Sequence, residues 1–309
     1  MTAERVQAAP ALKPTKCAIC GTTGNAAEVY PSSVTEDAFD ARHFSARRVP
    51  DRVHYRMVRC NRCGLLRSDP AADPASVARL YERATDDYSS EVPNIQRTYG
   101  RYLRRVERYI ASRAGLLEVG SGNGFFLEEA LRQGYRDARG IEPSQDAIDA
   151  AKPEIRPLLI HDILRRGVVE EESVALACLF HVFDHLAEPG DALDTLHHIL
   201  RPKGVVLFLN HDAGALSARV MGERSPIVDV EHYYLYTPQT QAALAQAHGF
   251  EVLEAGRVLN DYTLGYVARL TPMPSRVKGG VLGALRATRA GSLRVRVPLG
   301  NLYLIARRR

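Results

Sequence analysis

The sequence predicts an α/β fold: a doubly wound, mostly parallel sheet of seven strands with a small metal-binding module ahead of it. Three observations carry this expectation. From Gly115 onward, apolar runs of strand length alternate with amphipathic helical stretches, as in parallel strands joined by crossover helices. The first run opens through a glycine turn, Gly120-Ser-Gly-Asn-Gly124, into a helical stretch. Two Cys-x-x-Cys pairs precede the alternation.

In chain order, residues 1–15 are rich in Ala and Pro and are expected to be disordered. The cysteine pairs lie within 16–70, and from Pro74 the texture predicts helices over 75–81 and 95–114. Strands are expected at 116–119, 138–142, 158–162, 174–180, 205–210, 250–258 and 302–306, and helices at 125–133, 145–151, 192–200 and 238–247. Gly134 and Gly249 stand where helix C-caps favour glycine. Thr237 and Pro238 read as an N-cap and first helical residue. The stretch from Tyr262 to Ala290 predicts one or two short basic amphipathic helices. The chain therefore divides into a tail and cysteine module (1–72), a sheet core (73–261), and a basic helical insert with the strand that completes the sheet (262–309).

The chain has 309 residues, 45% hydrophobic and 25% charged, a balance that suits a soluble globular protein. No apolar run approaches the roughly eighteen residues of a membrane span, and no secretory signal is apparent, so a cytoplasmic location is expected. Five cysteines, four of them in pairs and Cys178 alone in an apolar run, suit metal binding in a reducing compartment better than disulfides. The net charge is +5, yet the residues from Tyr262 onward hold ten Lys/Arg and no acid, leaving about −5 before them by difference. Arg101, Arg104, Arg105 and Arg108 form a second basic cluster. An anionic partner and a merely solvated basic face both satisfy this pattern.

Gly120 and Gly122 allow a tight turn that brings backbone amides to a ligand at a helix N-terminus. A dinucleotide fingerprint would place Gly or Ala where Phe125 stands, and a Walker loop would need Gly-Lys-Ser/Thr. Pyrophosphate and triphosphate ligands are both disfavoured. Glu142 ends the second strand, where a carboxylate can accept from ribose hydroxyls; the alternative is a solvated strand-end acid. Asp162 and Ile163 follow the third strand, placed for an adenine amino group and ring.

These segments resemble the class I S-adenosylmethionine-dependent methyltransferases, with their Rossmann-like fold. The resemblance rests on Glu118-Val-Gly-Ser-Gly-Asn-Gly124, Gly140-Ile-Glu142-Pro-Ser144, His161-Asp162, Phe180-His-Val-Phe-Asp-His185, Leu200-Arg-Pro-Lys-Gly204 and His232-Tyr-Tyr-Leu-Tyr-Thr-Pro238. It implies S-adenosylmethionine as cofactor. Glu118, Gly120, Ser121, Gly122, Gly124 and Phe125 would surround its methionine end, Glu142 and Pro143 the ribose, and Asp162 and Ile163 the adenine. Phe180 and His181 would close the site, and Tyr99 or Tyr102 would lie across the cofactor or pack in the core.

Cys17, Cys20, Cys60 and Cys63 form a four-thiolate set, which implies a structural Zn²⁺ because no coordination position is left for substrate. By the same resemblance, such a ribbon forms one wall of the substrate site, and His43, Arg47, Arg48 and His54 between the pairs are candidate contacts.

A hydroxyl acceptor requires a general base tuned near neutrality. His181, Asp184 and His185 follow the fourth strand and His232 the fifth, all at the carboxyl edge of the sheet, where such folds bind ligands. His185 or His232 is the expected base, with Asp184 orienting a histidine. The expected reaction is methylation of a small molecule at a hydroxyl of a sugar, glycolipid or secondary metabolite. Alternatives are an RNA methyltransferase, a C- or N-methyltransferase on a nucleotide-linked sugar, and a scaffold without chemistry. The absence of Trp and of any interleaved basic–aromatic stripe weighs against nucleic acid. Residues 262–290 also read as a peripheral membrane contact.

Overall fold

In a computed structural model, residues 11–34, 53–73, 77, 91–271 and 273–309 are described. Apart from Val77, the helix expected over 75–81 lies outside them, as do residues 1–10, His43, Arg47 and Arg48.

The strands are β1 (Leu12–Lys13), β2 (Ala26–Tyr30), β3 (Met57–Cys60), β4 (Leu66–Ser68), β5 (Ala71–Ala72), β6 (Leu116–Val119), β7 (Arg139–Glu142), β8 (Leu159–His161), β9 (Val174–Phe180), β10 (Leu200–His211), β11 (Tyr234–Leu235), β12 (Phe250–Arg257), β13 (Asn260–Thr263), β14 (Arg294–Val297) and β15 (Asn301–Arg308). The helices are α1 (Val92–Val106), α2 (Phe125–Arg132), α3 (Gln145–Asp149), α4 (Pro189–Ile199), α5 (Leu216–Met221), α6 (Pro238–Ala247), α7 (Leu264–Leu270) and α8 (Ser275–Ala287).

The seven-stranded sheet runs β12-β15-β10-β9-β6-β7-β8. Strands β8, β7, β6, β9 and β10 are parallel, and β15 lies antiparallel between β10 and β12. This is a Rossmann-like doubly wound fold, as the sequence predicts. Strand β9 is buried at all seven positions, as its unbroken apolar run requires of a central strand covered on both faces. Strand order reverses between β6 and β9, which opens a crevice beyond their carboxyl ends. Local signals agree with the ladder: Ser144 caps α3, and Thr237 and Thr240 make a reciprocal capping box on α6, each cap being worth about 1 kcal/mol.

Two expectations need correction. The helix predicted over 95–114 ends at Val106 and tightens into a 3₁₀ turn, Glu107–Tyr109. There the Ser112 hydroxyl accepts from the Ala114 amide, a local bond that competes with helix, and Gly115 turns at φ +85° into β6. The tail is ordered from Leu12, where β1 pairs with β5 and Thr15 bonds Ser68 and Asp69. The basic cluster on and just after α1 is tied into the fold by ion pairs: Arg101 pairs with Asp261, Arg104 with Glu129, and Arg105 and Arg108 with Glu254. The basic stretch folds as expected into two short helices, α7 and α8, and these lie on the connection of a β13–β14 hairpin that the sequence reading did not include; the Arg-Val-Arg-Val alternation of β14 was its signal.

The cysteine module is joined to the core through a four-stranded sheet, β11-β4-β3-β2, in which β11 comes from the chain between β10 and α6. Cys17, Tyr55 and Leu65 share one buried cluster with Leu117, Phe183 and Tyr236.

Candidate active site

A cavity of about 1200 Å³ opens at the carboxyl edge of the sheet. That exceeds the upper end of what one drug-sized ligand requires, so a cofactor and an acceptor can share it. Its first half is built by the β6–α2 turn. Gly120, Gly122 and Gly124 have φ of +69°, +53° and +74°, a conformation costly for side chains bearing a Cβ. A Cβ on Gly120 would also drive into Val182. Gly120, Ser121, Gly122 and Phe125 line the cavity. Gly124 is not in that lining: its missing Cβ makes room for Ile155 beneath the turn.

Glu142, at the end of β7, accepts from the Gly122 amide (2.7 Å) and the Ser144 amide (2.9 Å). Two carboxylate oxygens offer about four lone-pair sites, so room remains for ribose hydroxyls. Glu118 is 3% exposed, and its Oε2 accepts no hydrogen bond among the described residues. Burial, then the neighbouring Glu142 charge, pushes its carboxyl well above the usual range. Two acids facing one glycine turn make a cradle for a cation and repel phosphate.

Tyr99 of α1 stacks on Phe180 (4.1 Å between ring centroids) and lies over Phe125 (5.9 Å), forming an aromatic wall with Pro143 and Ile163 further round the cavity. Tyr102 faces away and packs on Tyr303. Asp162 lines the cavity, but Arg165 holds its carboxylate through two bonds of 3.0 and 2.6 Å; chiefly that bond lowers its pKa.

The second half is a histidine cluster. His181, held at φ +54°, lines the cavity with His185, His211 and His232. Asp184 lies behind them, 0% exposed. Its Oδ2 accepts from His211 Nδ1 at 2.6 Å. The nearest approaches to its oxygens by His185 Nε2 and His232 Nε2 are 3.8 and 3.7 Å, beyond hydrogen-bond reach. Burial opposes ionisation of Asp184, but His211, with His185 and His232, outweighs it and holds the carboxyl well below the usual range. Burial lowers the pKa of both His185 and His232.

The cluster therefore contains the four residues predicted at this edge, while the histidine that Asp184 orients is His211, which sequence reasoning did not single out. Its signal was present: β10 ends in Asn210-His211, at the edge where such sheets bind ligands. Asn260 and Asn301 also line the cavity unpredicted. The module reaches the site from behind. Ser68 donates its hydroxyl to the His232 carbonyl at 2.7 Å, and Tyr233 and Tyr234 donate theirs to the carbonyls of Ala72 and Lys16. His54 is turned to Tyr55 and Glu223 and does not line the cavity. The four cysteine sulfurs converge, with Cys17 Sγ 3.3 Å from Cys63 Sγ and Cys20 Sγ 3.6 Å from Cys60 Sγ. Tetrahedral zinc thiolates stand about 3.8 Å apart.

A family model described as a methyltransferase domain matches residues 93–255. The chain is 29% identical over 140 residues to a ubiquinone biosynthesis O-methyltransferase of Caulobacter vibrioides, a match covering 39% of this chain and 52% of that protein. The alignment thus spans about half the length of that curated relative. A solved structure of a SAM-dependent methyltransferase from Archaeoglobus fulgidus superposes with a TM-score of 0.50 at 14% identity, covering 72% of this chain and all of that one; this likeness is one of fold. Among the described residues, no helix is long and apolar enough to cross a membrane.

Proposed function

Because this chain belongs to the methyltransferase-domain family, we propose that it transfers a methyl group from S-adenosylmethionine to a hydroxyl of a small molecule. The observation that carries this reading is the pair of buried acids, Glu118 and Glu142, at the glycine turn. They suit a ligand carrying an ammonium and a sulfonium.

S-adenosylmethionine supplies an already activated methyl group when bound. Glu118, Gly120, Ser121 and Gly122 would hold its methionine end, Glu142 and Pro143 the ribose, Asp162 and Ile163 the adenine, with Tyr99, Phe125 and Phe180 as the wall. Methyl transfer is an in-line displacement, so the chain's task is alignment and removal of the acceptor proton. His211, oriented through its Nδ1 by Asp184, is the proposed base, and the buried carboxylate stabilises the imidazolium that forms. His181, His185 and His232 surround the acceptor position.

The size of the cavity and its concave lining by residues from several elements favour a small molecule over a nucleic acid. A phenolic, sugar or glycolipid hydroxyl is the acceptor class, in line with the named activity of the Caulobacter relative. An RNA acceptor would instead make binding fall steeply with salt.

Calorimetry with S-adenosylmethionine and its demethylated product tests the reading; absence of heat with both removes it. Proton counting sharpens the test. The Glu118 carboxyl is raised in the free protein, and a cationic ligand favours its ionised form. Binding should release protons, and affinity should rise with pH by up to about tenfold per unit, between the pKa values of the bound and free states. In Glu118→Gln, that release should vanish.

We also assign one structural zinc ion to Cys17, Cys20, Cys60 and Cys63. Because β4 of this module pairs with β11 and Ser68 holds the His232 carbonyl, stripping the ion should loosen the acceptor side first. The expected result is loss of transfer while S-adenosylmethionine still binds within about threefold of its initial affinity, the two halves being held by separate contacts. Equal loss of both would refute this division.

The exposed insert is the proposed membrane contact. Helix α8 has no buried residue, Val277 is 52% exposed, and Arg276, Lys278, Arg286 and Arg289 on and beside it form no ion pair with other described residues. Vesicles containing phosphatidylglycerol should retain the protein at low salt and release it at high salt, whereas purely neutral vesicles should not retain it.

A further inference from the structure

Two basic stretches that lie far apart in the sequence meet in the fold. Arg97, Arg101 and Arg104 follow i, i+4, i+7 spacing and share one face of α1. Arg294 and Arg296 share one face of β14, where Arg296 stands opposite Asp261 of β13. These six residues line a second cavity, of about 360 Å³, at the small end of ligand-sized sites. We propose that this arginine cavity binds a multiply charged phosphate group, a diphosphate or a phosphomonoester, at a position separate from the methyl-transfer site.

Charge carries the argument. Five guanidiniums against one carboxylate leave the lining at +4. Helix α1 contains no acid to offset its own arginines, and like charges three and four residues apart on a helix repel. Asp261 is already occupied, since Arg101 Nη2 and Arg296 Nε both donate to it. Glu129, 3.7 Å from Arg104, is held more closely by Arg132 at 2.6 Å. Arg97 and Arg294 form no ion pair with other described residues. Arg101 Nε is buried and donates to no acceptor among the described residues, an expensive state for part of a charged group. An anion in the cavity supplies the missing acceptor and offsets the repulsion among the five cations.

The lining also selects the class of anion. Guanidinium forks match phosphate oxygens through paired N–H bonds, and a balance of +4 favours a dianion or trianion over a single carboxylate. No aromatic ring lines the cavity to stack a base or sugar, so the phosphate is recognised and not its bearer. Thr98 and Tyr99 of α1, with Asn260 and Tyr262 of β13, line the large cavity instead, and the two cavities share no lining residue. The Asp261 amide donates to Thr98 Oγ1 at 2.9 Å, tying strand to helix between them. Phosphate binding is therefore independent of the methyl-transfer reading.

The test is calorimetric titration of the full chain with inorganic pyrophosphate at constant ionic strength in chloride. One equivalent should bind per chain. Arg97→Gln and Arg294→Gln should each weaken it about tenfold, the loss of one charge-assisted bond, whereas the R276Q/R286Q double variant on α8 should bind as the parent does. Measurements on the unsubstituted protein guard against misfolded variants: pyrophosphate should shift the Arg101 Nε–H resonance and raise Tm, because a ligand of the folded state stabilises it. Vesicles containing phosphatidic acid separate the two sources of phosphate. Retention that pyrophosphate competes away assigns the site to a lipid headgroup; retention that is absent or untouched by pyrophosphate assigns it to a soluble ligand. Absence of pyrophosphate binding, an unshifted Arg101 Nε–H resonance, or equal weakening by the α8 substitutions would overturn the site. If pyrophosphate binds as expected but S-adenosylmethionine gives no heat, the methyl-transfer reading falls and the phosphate site stands.

Discussion

His211→Gln is expected to lower kcat about 10²- to 10⁴-fold, the usual contribution of a positioned general base, while S-adenosylmethionine affinity stays within about threefold of the parent. The asymmetry follows from geometry. His211 closes β10 and takes its orientation from Asp184 at 2.6 Å, whereas the cofactor half is built by the turn after β6 and by Glu142. Asp184→Asn should reproduce the loss in kcat, because the amide can hold a ring but cannot stabilise the imidazolium. Retention of full kcat by His211→Gln would transfer the role to His185 or His232. Steady-state kinetics on the two variants decide this.

Gly120→Ala should have the second large effect, on binding. The position is at φ +69°, and the added methyl meets Val182, a β-branched side chain with little rotameric freedom. The left-handed conformation alone costs roughly 1–2 kcal/mol for a residue with a Cβ. Any relief by movement of the turn displaces the Gly122 amide from Glu142. S-adenosylmethionine affinity should fall about 100-fold, equivalent to roughly 2.7 kcal/mol. Gly167→Ala is the control: φ there is +87°, and an added methyl would meet nothing within 4 Å. It should lose comparable stability to thermal unfolding and no affinity. Equal affinity losses in both variants would mean that the glycine turn acts only through global stability.

Much of the sheet was legible because its signals are local. The seven-residue run of β9 has to be a buried strand, Thr237-Pro238 has to start a helix, and glycines that open a helix after a strand make a tight turn. Glu142 was legible for the same reason, since its position follows from counting along a strand, whereas Glu118 was singled out only through the family resemblance. Other features lay beyond that reach. The pairing of β11 with β4 joins residues far apart in sequence, and a two-residue strand carries no periodicity. The ion pairs of Arg101 and Arg105 needed Asp261 and Glu254 from distant strands.

Histidines at the carboxyl edge could be counted from sequence, but which of them Asp184 grips could not. Residues 184, 185, 211 and 232 meet only when β9, β10 and the connection to β11 close on one another. Composition and spacing alone determined the α/β fold, the glycine turn with its acidic partner and the four-thiolate set, because chain geometry within a few residues dictates each. Tertiary structure alone decided the pairing of His211 with Asp184, the burial of Asp184 and the attachment of the cysteine module behind the histidine cluster. Those depend on which side chains are desolvated together, and desolvation is a property of the packed whole.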